Sequence, residues 1–221
     1  MSHILDPDLL DRLCAFLQAS PTPWHATCNM AARMEQAGYQ RLQETAAWQL
    51  EAGKRYFVTR NDSSIIAFQL PENGALKDLR MVGAHTDSPG LRLKPNAAQH
   101  SAGWLQLGIE VYGGALLAPW FDRELGVAGR VHLRQPGGRL TSILLNVAEP
   151  VAILPSLAIH LDREANNGRA INPQTQMAPV LMQGDEGDLT GLLQTWIKTQ
   201  FGIEEADIVD FELSLYDLQA P

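Results

Sequence analysis

His85 and Asp87 stand two residues apart at the end of the run Leu79-Arg80-Met81-Val82-Gly83-Ala84, and they are the pair in this chain best suited to chemistry. A histidine in such a place can bind a divalent metal through one ring nitrogen while a nearby carboxylate fixes its tautomer through the other. His85 is therefore the candidate metal ligand, and Asp87 the carboxylate that orients it and the candidate catalytic residue. Met81, Val82 and Ala84 are too continuously apolar for a half-exposed strand and too few for a helix, which predicts a short strand buried on both faces. Ser88-Pro89-Gly90 ends it, and Pro89 holds Ser88 extended, so that His85 and Asp87 share one side. That arrangement puts an imidazole and a carboxylate at the carboxyl end of a buried strand, where open α/β sheets hold ligands. A bare H-x-D is more often a strand-end cap followed by a turn. Its position at the end of a core strand favours the functional reading.

Other residues with chemical potential carry less. His160, behind Leu157, Ala158 and Ile159, reads by itself as a core or edge histidine. Glu204-Glu205 lies in a polar connector, Gly202 to Asp207, and reads as a solvated charge run. Gly83, Gly113 and Gly114 make neither a dinucleotide nor a P-loop pattern, and no G-x-S-x-G occurs. Cys14 and Cys28 are the only cysteines. Two thiols in a helical region form neither a disulfide framework nor a thiolate metal site, and we expect both to be buried as small apolar residues.

The elements that must position these residues follow from periodicity. Leu9, Leu10, Leu13, Phe16 and Leu17 recur at helical spacing behind Asp6-Pro7, an N-cap followed by a first-turn proline. Thr22-Pro23 repeats that start signal, and Ala26, Met30, Met34 and Ala37 carry a second stripe to Gly38. The two helices should pack side by side, with His25 in the first turn of the second. Tyr56 to Thr59 and Ile65 to Leu70, separated by Arg60-Asn61-Asp62-Ser63-Ser64, predict a hairpin. With the strand before His85 they start a mixed sheet, a layered α/β arrangement. After Pro95 the texture becomes β-rich, with strands predicted over 104–112, 127–133 and 140–147. Helical periodicity returns at Leu189, Leu192, Leu193, Trp196 and Ile197, and a last strand follows at Ile208 to Leu215.

With 221 residues the chain is long enough for one large domain or two small ones. Seventeen basic against twenty-five acidic residues give a formal charge of −8, which argues against nucleic acid or an anionic membrane as the main partner. Met1 to Pro7 lack a basic region leading into an apolar core, so no signal peptide is expected, and a cytoplasmic location is the default.

The letters around His85, GAHTDSPGLRLKP, closely resemble the signature of the aspartyl aminopeptidases, the eighteenth family of metallopeptidases. Ser20 to Ala26, Arg60-Asn61, Glu110 to Gly114, Trp120-Phe121-Asp122-Arg123, Ala128 to Val131 and Pro155 to Leu161 look like further family blocks, in family order. The resemblance implies an α/β mixed-sheet metallo-aminopeptidase domain with an inserted β-rich dimerisation domain. Residues 1–94 would be the start of the peptidase domain, 95–205 the insertion, and 206–221 a strand returning to the first domain. It further implies two divalent metal ions, zinc first, with manganese or cobalt as alternatives. The substrate would be a peptide from which an N-terminal, acidic residue is released. The chain would assemble with its own kind through the inserted domain, as a dimer or a dodecamer. His160 matches the family histidine carried to the neighbouring subunit's site, where it meets metal or substrate. The family's adjacent glutamates fall beyond these residues, so Glu204-Glu205 is set aside and the chain is expected to be an incomplete, by itself inactive, part of the enzyme. The rival reading is a non-catalytic oligomerisation or interaction fragment. A sugar- or ligand-binding β domain ranks far below both.

Overall fold

In the computed structural model, which describes residues 7–75, 78–184 and 187–219, the chain forms two compact units. Among the described residues, one unit runs up to Ser88 and the other is Pro89–Gln219.

The first unit opens with helices α1 (Pro7–Gln18) and α2 (Pro23–Gln36). Thr22 caps α2 as the sequence predicts, its hydroxyl accepting from the His25 N–H, with Pro23 in the first turn. Gly38, at φ +80°, ends the helix region, its N–H donating to Glu35 O. The expected Asp6 cap lies outside the described residues. Trp24, Ala26 and Ala31 are buried, whereas the leucines of α1 stay half exposed. The cysteines differ from expectation: Cys14 is half-buried and Cys28 exposed, because Cys28 falls on the outer side of α2 from Ala26 and Thr27.

Strands β2 (Arg55–Arg60) and β3 (Ser64–Gln69) form the predicted hairpin, turning through Asn61 and Asp62, both at positive φ. A two-residue strand β1 (Gln40–Arg41) pairs parallel to β2 and gives a three-stranded mixed sheet. Tyr56 and Phe57 are its buried centre, and Phe68 stacks between Tyr56 and Trp48.

The strand expected at residues 81–84 is absent. Residues 78–89 are irregular, and Met81 is 82% exposed, with Val82 and Leu79 also open to solvent. A strand buried on both faces needs neighbours on each side to pair its N–H and C=O groups, and no described strand flanks this run.

The second unit is an antiparallel sheet with strand order β7-β6-β9-β4-β5-β8. Its strands are β4 (Gly90–Ser101), β5 (Trp104–Tyr112), β6 (Leu125–Arg134), β7 (Leu140–Ala152), β8 (Val180–Gln183) and β9 (Asp207–Asp217). Between β7 and β8 lies a single turn of helix, α3 (Pro173–Gln176). Helix α4 (Leu189–Phe201) is capped by Asp188 at one end and by Gly202, in the left-handed region, at the other. Its Leu189, Leu193 and Ile197 join Leu91, Leu107, Val131, Leu145 and Leu213 of the sheet in one apolar core. Each such fully buried aliphatic side chain contributes about 1.5–3 kcal/mol.

Two details depart from the sequence reading. The break between units falls at Ser88/Pro89, ahead of β4, and not at the residue 94 that the sequence suggests. Strand β9 does not return to the first unit; it lies between β6 and β4, paired with β6 from Leu125↔Asp217 to Arg134↔Asp207 with a register shift between His132 and Leu133. Its alternating apolar residues Leu213 and Leu215 supply the core of this larger sheet.

Candidate functional site

The segment carrying His85 and Asp87 gains its shape from side chains rather than from strand pairing. Thr86 Oγ1 donates to Ser63 O at 2.7 Å, which ties the segment to the β2–β3 turn. On either side of that anchor His85 Nδ1 meets Asp87 Oδ1 at 3.1 Å. With the proton on Nδ1, the carboxylate fixes the tautomer and leaves the Nε2 lone pair available to an electrophile. The His85 side chain is 90% exposed, so the ring is presented to whatever covers this surface. Sequence reasoning did not single out Thr86, because a side-chain bond to a backbone carbonyl so distant in the chain leaves no periodic trace.

His160 belongs to the second unit, on the loop between β7 and α3, where it is exposed and lies in a turn closed by Leu161 and Asp162 N–H groups on Ala158 O. Glu204 pairs with Lys198 on the surface, as a charge run should. His25 is a different kind of histidine. Its Nδ1 lies 2.7 Å from Thr22 Oγ1, and burial pushes its ionisation down to about 4.

A zinc ion of the kind the resemblance implies takes about three protein ligands in a catalytic site. His85 with Asp87 has the chemistry of one oriented ligand. Among the described residues no group of three or more histidine, cysteine, aspartate or glutamate side chains is close enough to hold a metal. These residues do not by themselves close a metal site.

The family model described as "Aminopeptidase I zinc metalloprotease (M18)" matches residues 16–221. The chain belongs to the M18 aminopeptidase family. It is 52% identical over 217 residues to the "Probable M18 family aminopeptidase 2" of Azotobacter vinelandii, covering 96% of this chain and 50% of that protein. A chain in the cryo-EM structure of the Ape4 and Nbr1 complex superposes with a TM-score of 0.83 at 38% identity, over 96% of this chain and 44% of that one. The mApe1 of Chaetomium thermophilum superposes at 0.80 with 30% identity, over 96% and 51%. This M18 chain therefore spans about half the length of the curated relatives it matches. No helix among its described residues is long and apolar enough to cross a membrane.

Proposed function

We propose that this chain works within a metal-dependent aminopeptidase that releases acidic N-terminal residues from peptides, with His85 as a zinc ligand and Asp87 as its orienting partner. The observation that carries this reading is the 3.1 Å contact between His85 Nδ1 and Asp87 Oδ1 on a ring left open to its surroundings. Family membership supports the hydrolytic class. Bound zinc would supply Lewis acidity at the peptide carbonyl and a more acidic water; the role of this chain's residues is to orient one imidazole, with Asp87 engaging Nδ1 so that Nε2 faces outward. The remaining ligands, for a pair of ions, come from residues outside those described. His160, on an exposed loop flanked by exposed Leu157, Ile159 and Leu161, reaches the site of a neighbouring copy. The protein is a homo-oligomer through its second unit, and its location is cytoplasmic.

In the complete protein, N-terminal aspartyl and glutamyl peptides should be cleaved faster than alanyl or lysyl ones. A chelator should abolish turnover and zinc restore it. His85→Phe should lower kcat/KM at least about a thousandfold, since it removes a ligand outright. Turnover that survives both chelation and His85→Phe would overturn the proposal. For the 221 residues by themselves the second reading, a non-catalytic oligomerisation piece, is favoured by the lack of a three-ligand group among the described residues. Sedimentation of this chain as an oligomer without hydrolysis would support it.

A further inference from the structure

The loop bearing His160 is fastened at its start to Phe121 and Asp122, and at its far end to Phe121 again. At its start, Asp122 accepts the Ser156 N–H at 2.8 Å on Oδ1 and donates its own N–H to Leu154 O at 2.8 Å. Phe121 forms an isolated bridge with Leu154, which is almost wholly buried, and packs on the core. At its far end, Arg169 Nη1 meets Asp162 Oδ2 at 3.0 Å, and the guanidinium carbon lies 4.9 Å from the centre of the Phe121 ring. Asp162 is also the residue whose N–H, 3.2 Å from Ala158 O, closes the turn around His160.

This ion pair is enclosed although it sits on a loop. Side-chain exposure is 16% for Asp162 and 18% for Arg169, and Arg169 Nε is buried with no hydrogen-bond partner among the described residues. Taking both charges out of water is costly. Only a planar guanidinium can pair edge-on with a carboxylate while stacking its face on a ring. The tip it supports carries exposed Leu157, Ile159 and Leu161. Apolar side chains left free in water gain nothing from a loop of fixed shape, whereas a histidine that must meet a reacting group gains orientation.

We infer that Phe121, Asp162 and Arg169 form a clasp that sets the position of His160, Asp162 and Arg169 being positioning residues for the reaction in which His160 takes part. The inference rests on the proposed role of His160 in the active site. Arg169 touches neither substrate nor metal in this scheme; it acts through the turn that Asp162 closes.

The test is a double-mutant cycle in the complete, assembled protein. His160→Ala should lower kcat about a hundredfold or more, and Arg169→Met about tenfold or more, with the sedimentation coefficient of the assembly unchanged. In the His160→Ala background, Arg169→Met should change kcat by less than about twofold, because a residue acting only through His160 has nothing left to position. Arg169→Lys should recover part of the loss, keeping the charge but not the stacking plane. Asp162→Asn, nearly isosteric, should repeat the Arg169→Met pattern with less risk to folding. If His160→Ala is fully active, the proposed role of His160 is wrong. If His160→Ala is impaired but Arg169→Met and Asp162→Asn are silent, or their losses multiply with it, the clasp is wrong and the role of His160 stands.

Discussion

His85 and His25 show how differently one residue type behaves when its surroundings change. His85 is open to solvent with an acceptor carboxylate on Nδ1, an arrangement suited to a metal. His25 is packed against the Thr22 hydroxyl at the start of α2, and desolvation holds its ionisation near 4, below the ordinary 6.5. The unfolded chain therefore binds more protons at this residue between roughly pH 6.5 and 4, and the stability it confers is lost as pH falls through that window. A plot of thermal midpoint against pH should fall more steeply for the wild type than for His25→Gln, with the two slopes converging below about pH 4; parallel plots throughout would show that His25 stays solvated. Of the site, the His85–Asp87 proximity could be anticipated from the H-x-D spacing. The Thr86 anchor and the Phe121–Asp162–Arg169 cluster could not, because their members lie far apart in sequence and meet only through the fold.

Elements that depend on near neighbours were legible and those that depend on distant ones were not. The two N-terminal helices, the hairpin of β2 and β3, and α4 with its Gly202 stop all follow from local periodicity and capping. Strand β4 was hidden by Pro95, which usually interrupts a strand; the structure accommodates it where the pairing with β5 shifts between Leu93 and Ala98. The apolar run before His85 has the composition of a buried strand, but composition does not supply the flanking strands that would bury it. One glycine shows how tightly the larger sheet is drawn together. A Cβ at Gly129, φ +156°, would come 2.0 Å from Glu212 O of β9. Neither backbone can yield without breaking the β6–β9 register. Gly129→Ala should destabilise the second unit by about 3 kcal/mol or more, read from urea unfolding. An alanine variant as stable as the wild type would mean that β6 and β9 are not packed as described.

At the scale of the molecule, the fold class was within reach of the sequence, and the order of strands was not. Runs of β pattern do not reveal which strand lies in the middle, and β9 occupies the interior position between β6 and β4. Without residues 207–219 the sheet would open between β6 and β4, leaving β6–β7 and β4–β5–β8 joined only through the Ile153↔Val180 bridge and exposing Leu91, Val127 and Val131 along the gap. Removal of those residues should therefore yield a second unit that binds a hydrophobic dye and loses its cooperative melt; retention of a sharp transition would show that the two parts cohere unaided. The same placement governs the order of events at the ribosome. Residues 89–206 emerge before the strand that joins them, so the two partial sheets must wait with apolar edges uncovered until the joining segment clears the exit tunnel. At about 5–20 residues per second this interval lasts for seconds, long enough for nascent chains on one messenger to meet. Slowing translation just upstream of codon 207 should accordingly increase chaperone occupancy and aggregation of this protein, a liability set by where β9 inserts rather than by the stability of the finished sheet.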